Sequence, residues 1–173
     1  MRTLRSISVL VCVVGMTMMA GAEGASDLPP NISVGSDLRY VVEDMLRESG
    51  TFRSQSRLLG KMPHVRVSIQ LEEHPGGVPD ARARCDLKRY ELGAITAIVH
   101  VRSRPDAIEL IGHELEHVIE FAEGTNYRIM ALLQPGSVWA LRGGSFETTR
   151  AVDAGLRVKQ EAWLATAQLR ARR

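Results

Sequence analysis

The stretch PDAIELIGHELEHVIEFAEG, residues 105–124, decides how this chain is read. Pro105 and Asp106 suit the first turn of a helix. Proline lacks the amide hydrogen that would go unbonded there, and the acid faces the positive end of the helix dipole. From that point Ile108, Ile111, Leu115, Val118, Ile119 and Ala122 recur at three- and four-residue spacing, which places them on one side and predicts a helix anchored in a core. Glu109, Glu116, Glu120 and Glu123 form a separate acidic face, and the helix is expected to stop at Gly124. His113 and His117 belong to neither face, which is where residues lining a cleft are expected.

Outward from this helix the pattern changes period. Residues 64–72 alternate, with Val65, Val67, Ile69 and Leu71 on one side, and predict a half-buried strand. Residues 94–101 are more fully apolar and predict a second, more central strand. Further upstream, Leu38, Val41, Val42, Met45 and Leu46 predict a helix over 37–49, followed by a shorter helical stretch over 52–59. Residues 26–35, with Pro29 and Pro30, read as an extended lead-in, and 74–79 as a loop. The charged segment 81–90 carries no assignable element. Beyond Gly124, a loop with Pro135, Gly136, Gly143 and Gly144 leads to a last long helix from near Ser145 toward Arg170. The order helix, strand, strand, helix, loop, helix predicts an α+β fold, a small sheet packed on helices, in one domain over 23–173.

The N-terminus reads differently. Arg2 and Arg5 precede an apolar run from Ile7 to Met19, and Ala20, Gly21 and Ala22 follow, the charged, apolar and small-residue order of a secretory signal peptide cleaved after Ala22. The run is short for a membrane span, so no stable span is expected after cleavage. The whole chain has 22 basic and 20 acidic residues; residues 1–22 hold two Arg and no acid, so the mature chain has 20 of each and is formally neutral. The basic excess is a targeting signal and gives no support for nucleic-acid binding. Of the two cysteines only Cys85 remains, and it reads as a buried or inert thiol. His64, His74 and His100 read as structural or surface residues, and Trp139 and Trp163 as packing residues.

His113-Glu114-Leu115-Glu116-His117 carries the chemistry. On a helix, residues four apart project roughly 40° from one another, one turn above the other, so both imidazoles can reach one tetrahedral zinc ion. Glu114 is rotated roughly 100° from His113, so it flanks the cation rather than binding it, and is placed to take a proton from an attacking water. A third ligand is needed. Glu120 and Glu123 stand where an extended motif would have Gly and His, and no histidine follows His117, so an acid on a later helix is expected, Glu147 or Asp153. If the last helix includes Glu147, then Ala151, Ala154, Gly155, Val158 and Ala162 lie within about 80° of it on the wheel. That small-residue stripe would let the helix approach another backbone and favours Glu147. Asp153 points toward Arg150 and Arg157 and reads as a surface ion-pair partner.

With these residues in place the chain resembles the small gluzincin-type zinc metallopeptidases, in which strands precede a His-Glu-x-x-His helix and a glutamate on a later helix completes the site. It is also similar to small exported bacterial proteins that pair His-Glu-Leu-x-His with Phe-Glu-Thr, here Phe146-Glu147-Thr148. The resemblance covers roughly residues 64 to 165 and implies zinc, with His113, His117 and Glu147 as ligands, Glu114 as general base, and a peptide or protein substrate. One departure is visible: many gluzincins place an Asp four residues after the ligand Glu, to orient a ligand histidine, where this chain has Ala151. No downstream His is present to stabilise an oxyanion, a role open to Tyr127, Arg142 or Arg150. The expected function is an exported zinc-dependent hydrolase. The alternative is an exported zinc-binding module without turnover, which the missing Asp and His favour; a third reading has no metal.

Overall fold

The computed structural model describes residues 28–75, 81–102, 105–141 and 144–172. The signal peptide expected before Ala22 lies outside them, as does Arg142. The described residues form an α+β structure: a mixed four-stranded sheet, a small two-stranded sheet and five α-helices. No helix among them is long and apolar enough to cross a membrane.

The chain enters through β1 (Ile32–Val34), passes through a 3-10 turn at Ser36–Leu38, and forms α1 (Arg39–Glu48) and α2 (Gly50–Gly60) before β2 (Val65–Leu71). Two strands follow, β3 (Ala83–Arg89) and β4 (Ile95–Val101). The sheet order is β1-β2-β4-β3; β1, β2 and β4 are parallel, and β3 runs antiparallel along the edge, with Cys85 opposite Val99. Strand β3 falls in the charged segment that carried no expected element. Its charges explain the miss: Arg84, Asp86 and Lys88 alternate with Ala83, Cys85 and Leu87, and charge on an outer strand hinders edge-to-edge pairing with other chains. β1 and the helix α4 (Tyr127–Leu133) were likewise not expected as elements.

The central helix α3 (Ala107–Ala122) lies against β3 and β4 on one side and against the final helix α5 (Thr149–Ala171) on the other. Its apolar face packs as expected: Ile111, Leu115, Val118 and Ile119 are buried with Val65, Val67, Ile69, Ala97 and Val99 of the sheet. Each such side chain contributes roughly 1.5–3 kcal/mol by leaving water. The acidic face does not lie in solvent. Glu116 and Glu120 are buried, because α2, α5 and the residue that caps α5 bring partners to them. Gln55 Nε2 donates to Glu116 Oε2 at 2.7 Å, and Arg150 bridges Glu116 and Glu123.

Helices α3 and α5 approach closely because glycine stands at both contact points. A Cβ on Gly155 would lie 2.7 Å from the Glu109 carbonyl oxygen and 3.0 Å from His113 Cβ, and one on Gly112 would lie 2.8 Å from Val158. The stripe Ala151, Ala154, Gly155, Val158 and Ala162 is buried along its length. The middle of α5 is tied to the start of α2. Glu161 accepts from Ser49 Oγ at 2.6 Å, from the Thr51 amide at 2.9 Å and from Thr51 Oγ1 at 2.8 Å. Burial pushes the Glu161 carboxyl up, but these hydrogen bonds outweigh it and hold its pKa below the ordinary value. A depressed folded-state pKa gives stability that is present above the unfolded value and lost as pH falls through the folded one. Glu161→Gln is therefore expected to cost about 1 kcal/mol at pH 7, at the low end for a bond to a partly solvated charge. Urea denaturation should show that gap closing toward pH 3; a gap independent of pH would assign the effect to shape rather than charge.

Candidate metal centre

Three elements bring the candidate site together. α3 supplies His113 and His117, whose ring centroids are 4.9 Å apart with planes at 79°. The hairpin of β5 (Val138–Ala140) and β6 (Phe146–Thr148) supplies Glu147, held opposite Trp139 in the strand register. Glu147 is thus a strand residue, and the helix begins after it, at Thr149; the glutamate-bearing helix expected from near Ser145 is corrected on this point. The turn through Gly144, where φ is +82°, closes the hairpin in a conformation that favours glycine. Local pairing, rather than a helical wheel, aims the carboxylate.

Glu147 Oε2 lies 3.3 Å from His113 Nε2 and Oε1 lies 3.2 Å from His117 Nε2. One donor atom from each of the three residues can be chosen so that all lie within 4.8 Å of one another. With metal–ligand bonds of about 2.0–2.1 Å, neighbouring ligands of a tetrahedral ion stand roughly 3.3–3.4 Å apart. The two His–Glu separations are of that size, each to a different oxygen of the carboxylate, and the nitrogen and oxygen donor set suits a divalent transition metal. Asp153, the other acid considered, is exposed on α5 and outside the group.

A carboxylate does meet the outer nitrogen of His117, and it comes from Glu120 rather than from the position of Ala151. His117 Nδ1 donates to Glu120 Oε2 at 3.1 Å, and Thr148 Oγ1 donates to the same oxygen at 3.1 Å. Thr148 also caps α5 by accepting from the Ala151 amide at 3.0 Å. Glu120 thereby fixes the ring so that Nε2 faces Glu147. The signal available in the sequence is a Glu three residues after His117, within side-chain reach on a helix, which the sequence places on a separate acidic face and at the Gly position of an extended motif. Glu120→Gln and Thr148→Val are each expected to weaken metal binding about 10- to 100-fold without removing it, as measured by chelator competition. An unchanged affinity in both would mean that His117 needs no orienting partner.

Electrostatics follow the geometry. Burial opposes a charge on His117, but hydrogen bonds to Glu120 and Glu147 outweigh it and raise its pKa to about 9. Burial also pushes Glu147 up, against hydrogen bonds from both histidines and the Thr148 amide, which win and hold the carboxyl well below its ordinary range. A cation entering the group would displace the proton on His117. Glu114 is 8 % exposed, and burial raises its pKa, with His113 and His117 pulling the other way. Glu114 lines a cleft of about 410 Å3 with His113, Glu147, Arg82, Leu110 and Leu156.

Other expected roles are redistributed. The Tyr127 hydroxyl donates to the His117 carbonyl at 3.4 Å, and burial followed by Glu120 pushes the phenol up, so it stays neutral. Arg150 is committed to Glu116 and Glu123. Neither lines the cleft around Glu114, whose one cation among the described lining residues is Arg82, paired with Asp106 at 3.1 Å. Burial, then Glu114 and Asp86, raises the Cys85 thiol well up, which keeps it protonated and unreactive. His100 is buried on the opposite sheet face, 2.6 Å from Glu72 and 3.3 Å from Asp86. Trp139 and Trp163 are exposed, at 40 % and 67 %, and do not pack as expected. No protein family, curated protein or solved structure matches this chain.

Proposed function

We propose that the protein is an exported zinc-dependent hydrolase, of the gluzincin kind, acting on peptide bonds. The observation that carries this is one carboxylate, Glu147, facing Nε2 of both His113 and His117, with the buried Glu114 lining the same cleft as His113 and Glu147. A zinc ion in that group would supply Lewis acidity toward a water and a substrate carbonyl. The chain does the rest. His113, His117 and Glu147 set the place and leave one side open to the cleft. Glu120 and Thr148 hold the His117 ring. Glu114, its pKa raised by burial, accepts a proton from the attacking water and returns it to the departing amine. The near-neutral mature composition fits a peptide rather than a nucleic-acid substrate, and the charged, apolar and small-residue N-terminus supports export.

One observation favours a second reading. Tyr127 and Arg150 are both engaged away from the cleft, which leaves an oxyanion there with Arg82 alone among the described lining residues. A zinc-binding module without turnover would need no more. Metal analysis of the purified protein after zinc reconstitution, with hydrolysis of a mixed peptide panel, separates the two. About one equivalent of zinc with cleavage is expected; zinc without cleavage across the panel would leave the binding module, and no zinc would end both.

A further inference from the structure

A second cleft, of about 520 Å3, is lined by Phe121 and Gly124 at the C-terminal end of α3, whereas the one that holds Glu114 is lined by Glu109, Leu110 and His113 nearer its start. Tyr127 and Phe146 line it, stacked with centroids 6.0 Å apart and planes at 15°. Tyr127 is the residue bonded to the His117 carbonyl, and Phe146 directly precedes Glu147, so this cleft adjoins the candidate centre through covalent and hydrogen-bonded neighbours. Its charge is of one sign. Arg89 and Arg128 line it and no acid does among the described residues, whereas Glu109, Glu114 and Glu147 line the first cleft.

Arg89 is held in place: Nη2 donates to the Phe121 carbonyl at 2.6 Å, and the guanidinium lies 4.9 Å from the centre of the Phe121 ring. That leaves most of its five donors for a ligand and lowers the entropy lost on binding one. Arg89 ends the edge strand whose first residue, Ala83, lines the other cleft, so the two clefts are joined by seven residues, roughly 20 Å of strand.

We propose that Arg89 and Arg128 form a carboxylate-binding subsite over the Tyr127–Phe146 floor, selecting substrates with a negative group to one side of the reacting bond. The proposal rests on the hydrolase reading for its role in selection. Attraction to the two guanidinium groups of the second cleft orients such a substrate. The shared chemistry is a carboxylate next to an apolar or aromatic group, whether from an acidic side chain or from a chain end.

Binding, read without turnover, tests it. The protein is titrated with acetyl-Phe-Glu-amide, acetyl-Phe-Gln with a free carboxyl end, and acetyl-Phe-Gln-amide, following the amide resonances of Thr125, Asn126 and Tyr127. At least one acid is expected to shift them and saturate at millimolar concentration, and the neutral amide to bind about tenfold more weakly or not at all. Which acid binds identifies the source of the carboxylate. Arg128→Gln, at an exposed position, is expected to weaken the acid about tenfold, and Arg89→Gln likewise, with melting temperature as the check on folding. Equal binding of acid and amide, no shift up to about 10 mM, or an unaltered affinity in both variants would overturn it. Carboxylate binding in a protein that cleaves no peptide would sustain the subsite while removing the hydrolase reading.

Discussion

Glu114→Gln is expected to keep its full complement of zinc and to lose hydrolysis by about 10²- to 10⁴-fold, the range for a positioned general base. The amide has the size and hydrogen-bonding reach of the carboxylate but does not accept the proton of an attacking water. Retention of metal follows from the helix: Glu114 projects to a different side from the two histidines and stands outside the three-residue group. Its environment supports the role, since burial raises its pKa and so makes the carboxylate a stronger base than an exposed one. Metal analysis and peptide hydrolysis on the same preparation give both readings. Undiminished turnover would remove Glu114 from the chemistry; loss of zinc would recast it as a ligand.

The second large effect falls on Glu147. Glu147→Ala leaves two histidines facing an open gap, and zinc affinity is expected to fall roughly a thousandfold, about 4 kcal/mol, with the loss of one of three ligands. The two oxygens of one carboxylate face the two rings at 3.2 and 3.3 Å, so a single substitution removes the contact to both. Glu120, the other acid bonded to His117, is occupied by His117 Nδ1 and Thr148 and is turned to the other side of the ring. Chelator competition measures the loss. Wild-type affinity in Glu147→Ala would show that zinc, if bound, sits elsewhere.

Local rules reached α3 because its information is local. The spacing of Ile111, Leu115, Val118 and Ile119 depends only on the helical period, and so does the common direction of His113 and His117. Strands β2 and β4 were legible for the same reason, through alternation and apolar content. Segments whose structure depends on a distant partner were not. β3 is a strand because β4 offers it an edge, and β6 because β5 lies beside it, in a three-residue pairing too short to leave a pattern. Glu147 was selected on a helical wheel although it is not helical. Its carboxylate reaches the two imidazoles by different geometry: an extended backbone, opposite Trp139, just before the α5 cap.

The sequence by itself determined an α+β arrangement around one amphipathic helix, two imidazoles one turn apart on it, and a small-residue stripe that lets a later helix come near. Tertiary structure alone decided which acid meets those imidazoles and which acids are buried. Glu116, Glu120 and Glu123 look alike along α3, yet Glu116 and Glu120 are buried and Glu123 is 40 % exposed. The physical reason is the cost of burying charge: a carboxylate leaves water only where partners replace the lost solvation. Here those partners, Thr148 and Arg150, arrive from about thirty residues away.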